Sequence, residues 1–247
     1  MNTTGNTILI TGGTSGIGLA FAEEFLRLGN KVIICGRRED RLAALAEKHP
    51  GLVVKKCDVA DTAQREELVK WVISHHPETN ILMNNAGVQL AINLTSPVDL
   101  DRVRTEVETN FIAPVHLASL FAGHLSSLPN AAIINISSGL AFVPIAFMPV
   151  YCATKAAIHS LTLSLRHQLR HTSVKVIEIA PPSTDTELGH DRRADKTQSH
   201  GGIPISEFLT EAMAGLVNGD TEIAVGQSKG LRAKRDELFA QINSFEG

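Results

Sequence analysis

Seven short apolar runs, spaced by longer amphipathic segments, constrain this chain more than any other feature. The runs cover 6–11, 31–35, 52–57, 80–83, 131–136, 174–179 and 222–225. Segments 16–28, 38–48, 62–75, 100–125, 150–170, 206–217 and 229–243 instead place their apolar residues at helical spacing. Most of the runs lack alternation, as strands do when helices cover both faces of a sheet. Regular β-to-α alternation therefore predicts an α/β fold with a parallel, doubly wound sheet of about seven strands and helices on both faces. No internal repeat or low-complexity linker divides the 247 residues, so a single domain over 1–247 is expected.

Composition removes several function classes. Hydrophobic residues make up 43% and charged residues 20%, which excludes disorder. A formal charge of -3 leaves no basic footprint for nucleic acid or an anionic membrane, and aromatics at 4% leave no stacking surface for single strands. Cys35, Cys57 and Cys152 are too few and too scattered for a disulfide framework or a four-ligand zinc site, so no metal is expected and a reducing cytoplasm is the natural setting. His75-His76 beside Pro77 reads as a helix C-terminal contact. Residues 1–5 lack a basic-then-apolar leader pattern, and the apolar stretch 131–150 is interrupted by Asn135, Ser137, Ser138, Gly139, Pro144 and Pro149. A buried strand and an apolar loop are expected there, not a membrane span.

The first strand-to-helix junction reads Thr11-Gly12-Gly13-Thr14-Ser15-Gly16-Ile17-Gly18. Glycines permit the tight turn and the close approach of helix to strand, and the amides opening the next helix suit a pyrophosphate. An apolar strand before and an amphipathic helix after give the context of a Rossmann-type dinucleotide site. At the end of the second strand the chain has Cys35-Gly36-Arg37-Arg38, without the acid that would hold ribose hydroxyls. Gly36 leaves room and Arg37 offers donors to a 2′-phosphate, so NADP(H) is preferred, with NAD(H) as the alternative. Solvated arginines opening the next helix are the plainer reading of the same residues. Asp58-Val59 could accept from an adenine amino group, or Asp58 could cap the helix starting near Thr62. Asn84-Asn85-Ala86-Gly87 ends the fourth strand with small residues that let a ring approach the backbone.

The chemistry-bearing constellation begins where Ser137-Ser138 delivers hydroxyls to the carboxyl edge of the fifth strand. Thirteen residues after Ser138 comes Tyr151, the only tyrosine, with Lys155 one helical turn later. A phenol with an ordinary pKa of about 10 is no base at neutral pH, and a nearby ammonium lowers that value.

Together Thr11–Gly18, Asn84–Gly87, Asn110, Ser138 and Tyr151-x-x-x-Lys155 resemble the classical short-chain dehydrogenase/reductase family over essentially the whole chain. The stretches 34–37, 137–144, 151–160 and 180–182 are closer still to its DltE-like members. The resemblance implies a carbonyl/alcohol oxidoreductase with Tyr151 as general acid/base and Lys155 lowering its pKa and holding the nicotinamide ribose. Ser138 would donate to the substrate oxygen, and Asn110 would help hold a proton-relaying water. Gly12, Thr14, Ser15, Gly16, Ile17, Gly18, Arg37, Asp58, Val59, Asn85, Ala86, Gly87, Tyr151, Lys155, Pro181, Thr184 and Thr186 would line the cofactor. The resemblance also implies a homodimer or homotetramer built through the helices of 100–125 and 150–170. The chain departs from the family's Pro-Gly after the sixth strand with Pro181-Pro182, which stiffens the backbone there.

The polar stretch 186–204, with His190, Arg192, Arg193 and Asp195, reads as a solvated loop, or as part of a substrate lid over 186–217. Leu140, Phe142, Ile145, Phe147 and Met148 suggest an apolar substrate wall. Glu106 and Glu108 read as a solvated face, Cys152 as packing, and His159 and His167 as remote from the chemistry. Two other functions fit the same motifs. A catalytically silent dinucleotide sensor or scaffold is opposed by the intact Ser138, Tyr151 and Lys155. An epimerase or dehydratase acting on a nucleotide sugar needs a longer region after the sixth strand.

Overall fold

The computed structural model describes residues 1–189 and 201–244. Its centre is one sheet of seven strands: β1 (Thr7–Thr11), β2 (Lys31–Gly36), β3 (Leu52–Lys56), β4 (Ile81–Asn84), β5 (Ala132–Ile136), β6 (Lys175–Ala180) and β7 (Glu222–Ala224). Their order is β3-β2-β1-β4-β5-β6-β7 and every pairing is parallel. The winding reverses between β1 and β4, which opens a crevice at their carboxyl ends.

Successive residues of one strand serve two cores. Ile8 and Ile10 pack with α1 (Gly16–Arg27), α2 (Glu39–Lys48) and α7 (Ile205–Asn218), whereas Leu9 packs with α3 (Thr62–His75) and α5 (Ala113–Ser126). That two-sided burial explains why these strands do not alternate in the sequence.

Helix formation departs from the sequence pattern in two places. The run 100–125 is not one regular helix. It forms α4 (Leu100–Val107), a π-helical turn (Glu108–Ile112) and then α5. Pro114 has no N–H to give to the Asn110 carbonyl four residues back, and the Ala113 amide reaches the Glu108 carbonyl instead. The run 229–243 likewise splits into α8 (Ser228–Lys234), a 3₁₀ turn and α9 (Phe239–Ile242), broken at Arg235, whose φ is 47°. Between β5 and β6 lies the 20-residue α6 (Pro149–Gln168).

The expectation of a solvated face at Glu106 and Glu108 is overturned. Glu106 is fully buried, and its carboxylate accepts from the Leu90 amide at 2.9 Å. Glu108 pairs at 2.8 Å with the buried Arg65, which also donates to the Val59 carbonyl, His116 Nδ1 and Thr62 Oγ1. Arg65 thereby ties the π-helical turn to the loop after β3. Among the described residues, no helix is long and apolar enough to cross a membrane.

Candidate functional site

At the β1–β4 crevice the backbone itself forms the surface. Gly12 has φ 65°, and a Cβ there would stand 2.8 Å from the Ala86 Cα. A Cβ on Gly18 would meet Asn85 Nδ2 at 2.4 Å and the Gly12 carbonyl at 2.6 Å. The two turns are laced together: Asn85 Nδ2 donates to the Thr11 carbonyl at 2.9 Å, and the Asn85 and Ala86 amides donate to Thr11 Oγ1. Gly16, at φ 55°, opens α1 opposite Thr186. The first turn of α1 holds no acid, so nothing opposes an anion at the positive end of its dipole.

The end of β2 abuts this loop, since a Cβ on Gly36 would lie 2.8 Å from Thr14 Cγ2. Arg37 is exposed and has no hydrogen-bond or ion-pair partner among the described residues. Its neighbour Arg38 instead reaches the glycine loop, donating to Ser15 Oγ at 3.0 Å and Thr14 Oγ1 at 3.2 Å. The two arginines are adjacent in sequence, and only the side-chain geometry distinguishes them. Asp58 is not the cap of α3. Its carboxylate accepts from the Ala60 amide, and Asp61 caps the helix by accepting from the Gln64 amide. The Asp58 amide is held by Gln64 Oε1, while Val59 is buried.

Across the crevice, β5 turns into a 3₁₀ segment (Gly139–Ala141) capped by Ser138, whose Oγ accepts from the Leu140 amide at 3.1 Å. That bond uses an oxygen lone pair and leaves the hydroxyl proton free to be donated. Ser137 points the other way, with its Oγ donating to the Ile179 carbonyl. Gly139 donates to the Pro181 carbonyl at 2.8 Å, and a Cβ there would clash with Ser228 Oγ at 2.4 Å, so α8 packs directly behind the serine turn.

Tyr151 and Lys155 lie one turn apart on α6, both buried, with Lys155 Nζ 5.7 Å from the phenol ring centroid. Lys155 Nζ donates to the Ile136 carbonyl at 2.9 Å. Burial lowers its pKa to about 8, although the Glu106 carboxylate pulls in the opposite direction. Asn110, from the π-helical turn, accepts from the Val88 amide and donates to the Val88 carbonyl, both at 2.8 Å, and donates to Thr154 Oγ1 at 3.1 Å. A Cβ on Gly87 would find Asn110 Oδ1 at 3.5 Å and Lys155 Nζ at 3.7 Å. Lys155 from α6, Asn110 and Gly87 thus meet at the carboxyl end of β5, and Leu140, whose amide is held by Ser138 just past that strand, packs in one cluster with Tyr151.

The strand-end elements after β6 lie nearby. Thr184 is buried, donates to the Pro182 carbonyl and bridges to Ile203, while Thr186 faces Gly16. The expected lid falls partly outside the described residues, including His190, Arg192, Arg193 and Asp195, and its remainder contains α7. The apolar wall is only partly as expected. Leu140, Ile145 and Met148 pack with Tyr151, whereas Phe142 joins Val143 and Ala180 in a core covered by Leu231, Leu238 and Ile242. Asn243 fastens the intervening loop by donating to the Pro144 carbonyl and accepting from the Ala146 amide. Nothing in its local sequence signalled that role.

His159 is not an isolated helix residue. Its Nδ1 lies 2.8 Å from the fully buried Glu178, and His159, Glu178 and Glu222 offer ligand atoms within 4.8 Å of one another. Arg232 ion-pairs with Glu222, and His159 takes one oxygen of Glu178, whose other oxygen is buried with no hydrogen-bond partner among the described residues.

Sheet order, crevice and glycine turn define a Rossmann-type dinucleotide-binding protein. The short chain dehydrogenase family model matches residues 6–197, and the chain belongs to that family of oxidoreductases. It is 49% identical over 253 residues, covering all of both chains, to an uncharacterized oxidoreductase, DltE, of Bacillus subtilis (strain 168). It is 31% identical over 214 residues to the NADP-dependent 3-hydroxy acid dehydrogenase YdfG of Salmonella typhi, covering 83% of this chain and 86% of that one. A short-chain dehydrogenase from Sphingobium yanoikuyae in complex with NADPH superposes with a TM-score of 0.82 at 26% identity, covering 98% of each chain.

Proposed function

We propose that this protein interconverts a small carbonyl compound and its alcohol with NADP(H) preferred over NAD(H). The observation that carries the reading is Lys155, buried beside Tyr151 and anchored on the Ile136 carbonyl. An ammonium held in that position favours the phenolate of Tyr151 and matches its pKa to proton transfer near neutrality. Burial favours the neutral lysine, and the Glu106 carboxylate supports the charged form.

The glycine turn fits a dinucleotide, because side chains at Gly12 and Gly18 would fill the cradle. Gly12, Thr14, Ser15, Gly16, Ile17 and Gly18 would hold its pyrophosphate, and Asp58, Val59, Asn85, Ala86 and Gly87 its adenosine and ribose side. Pro181, Thr184 and Thr186 would flank the nicotinamide. When bound, that cofactor supplies or accepts the hydride. In the reductive direction Tyr151 donates its phenolic proton to the carbonyl oxygen, and Ser138 donates a hydrogen bond to the same oxygen as negative charge develops there. Lys155 stabilises the phenolate left behind. Asn110, locked at Val88 and Thr154, fixes the wide helix turn beside Lys155 and so holds the route by which the proton is replaced. The preference for NADP(H) is supported by the acid-free end of β2 and by Arg38 on the glycine loop.

Exposed Ile112 and Leu163, at the start of α5 and on α6, support assembly as a homodimer or homotetramer through those helices. Buried, free Cys35, Cys57 and Cys152 suit a reducing cytoplasm.

Cofactor titration and a reductase assay on a panel of ketones and aldehydes test the reading. Tyr151→Phe should lower kcat by about 10³-fold while leaving NADPH affinity within a few-fold. Turnover retained in that variant removes Tyr151 as the acid/base, and tight NADPH binding by the wild type with no turnover on any substrate favours a sensor.

A further inference from the structure

At the mouth of the cofactor crevice, Arg38 and Arg41 both hold Glu187. Arg41 Nη1 contacts the two carboxylate oxygens at 2.8 and 2.7 Å, and Arg38 Nη1 adds a contact at 3.2 Å. Arg38 spends its other terminal nitrogen on Thr14 and Ser15 in the glycine loop. One carboxylate, carried from the far side of the crevice by the segment after β6, therefore sits on two guanidinium groups at the end of β2. Partial burial pushes the Glu187 carboxyl up, but the hydrogen bonds from Arg41 and Arg38 outweigh it and hold the group below the ordinary carboxylate range. It is an anion at neutral pH.

This is where a Rossmann-type fold reads the adenosine ribose, beside the close contact of Gly36 with Thr14. The arginine pair carries one more positive charge than Glu187 neutralises. A phosphate dianion matches a two-guanidinium cradle better than a single carboxylate does, in both charge and number of acceptors.

We infer that Glu187 is an internal occupant of the 2′-phosphate site: it holds Arg38 and Arg41 when no phosphate is present and must leave them when a 2′-phosphorylated dinucleotide binds. This inference rests on the NADP(H) reading above and adds a residue that tunes it. A dinucleotide with a free 2′-hydroxyl leaves the Glu187 ion pairs in place. One with a 2′-phosphate has to break them. Glu187 thus narrows the gap between the two cofactors by weakening the phosphorylated one. Because Thr186 faces Gly16, the same exchange moves the residue next to one that borders the pyrophosphate turn.

The test is calorimetric titration of the full-length protein with NADPH and NADH, repeated with 2′,5′-ADP and 5′-AMP as probes of the phosphate alone. Glu187→Gln keeps the side-chain size and removes the charge. It should raise the NADPH-to-NADH affinity ratio roughly three- to tenfold, the scale of competing ion pairs at a partly exposed site, with the same direction for 2′,5′-ADP against 5′-AMP. Arg38→Gln and Arg41→Gln should each lower that ratio. If both arginine variants lower the ratio while Glu187→Gln leaves it unchanged or lowers it, the inference falls and the NADP(H) reading stands. If the wild type binds NADPH and NADH equally and neither arginine variant alters the ratio, the cofactor reading itself fails. Circular dichroism of each variant confirms that a lost affinity is not a lost fold.

Discussion

Two walls of one crevice are built on opposite principles. On the β1–β4 wall, an added Cβ at Gly12 would stand 2.8 Å from the Ala86 Cα, so the surface exists because side chains are missing. On the β5–α6 wall the groups are buried and polar: Lys155 donates to the Ile136 carbonyl, Asn110 to Thr154 and the Val88 carbonyl, and Thr154 to the Tyr151 carbonyl. The first wall cannot adapt, since its limit is backbone against backbone. The second depends on keeping a charge in an apolar setting, so its strength varies with protonation. Cofactor recognition suits the rigid wall, and proton transfer suits the titratable one.

The difference can be broken most sharply at Gly12. Gly12→Ala combines a residue at φ 65° with a contact to backbone that cannot swing away. It should cost roughly 2–5 kcal/mol of stability and abolish dinucleotide binding. A variant that melts like the wild type and still binds NADPH would show that this wall is softer than its contacts indicate.

The second wall should respond to pH. The folded pKa of Lys155, about 8, lies below its ordinary 10.5. Between those values the unfolded chain holds a proton that the folded chain has lost, so folding gains stability as pH rises from about 8 to 10.5. The gain approaches about 3 kcal/mol for one group. Urea denaturation from pH 7 to 10.5 should show this rise in the wild type and a flatter profile in Lys155→Met. Parallel profiles would mean that Lys155 titrates as an exposed lysine.

The smallest effect is expected where the second wall meets the C-terminal segment. Asn243→Ala removes the ties to Pro144 and Ala146 and should cost about 0.5–1.5 kcal/mol. It should change KM across a panel of carbonyl substrates and leave NADPH affinity alone. Equal shifts in both would place Asn243 in the cofactor half of the crevice instead.

Legibility in the sequence followed the same division. Strand and helix order, the glycine turn, and the positions of Ser138, Tyr151 and Lys155 were readable because each has a local signature: an apolar run, a missing Cβ, a spacing of one turn. The break at Asn110 was not readable from periodicity, because apolar spacing continues through a π-helical turn. Pro114 was its single trace. Glu106 carried the charge of a solvated residue, and only its place between the loop after β4 and Lys155 makes it part of the interior. Phe142 likewise left the expected substrate wall because α8 and the residues after it cover that side of the turn.

What the sequence determined by itself is the parallel, doubly wound sheet and the family to which the chain belongs, since both rest on short-range pattern and order along the chain. Tertiary structure alone decided which arginine touches the glycine loop, that an acid 149 residues away in sequence holds it, and how Asn243 secures the loop before Tyr151. Those contacts join chain segments far apart in sequence, and no local propensity records which distant side chain will arrive. Side-chain absence is written in the sequence, whereas side-chain partnership is settled only when the sheet brings its carboxyl edge together.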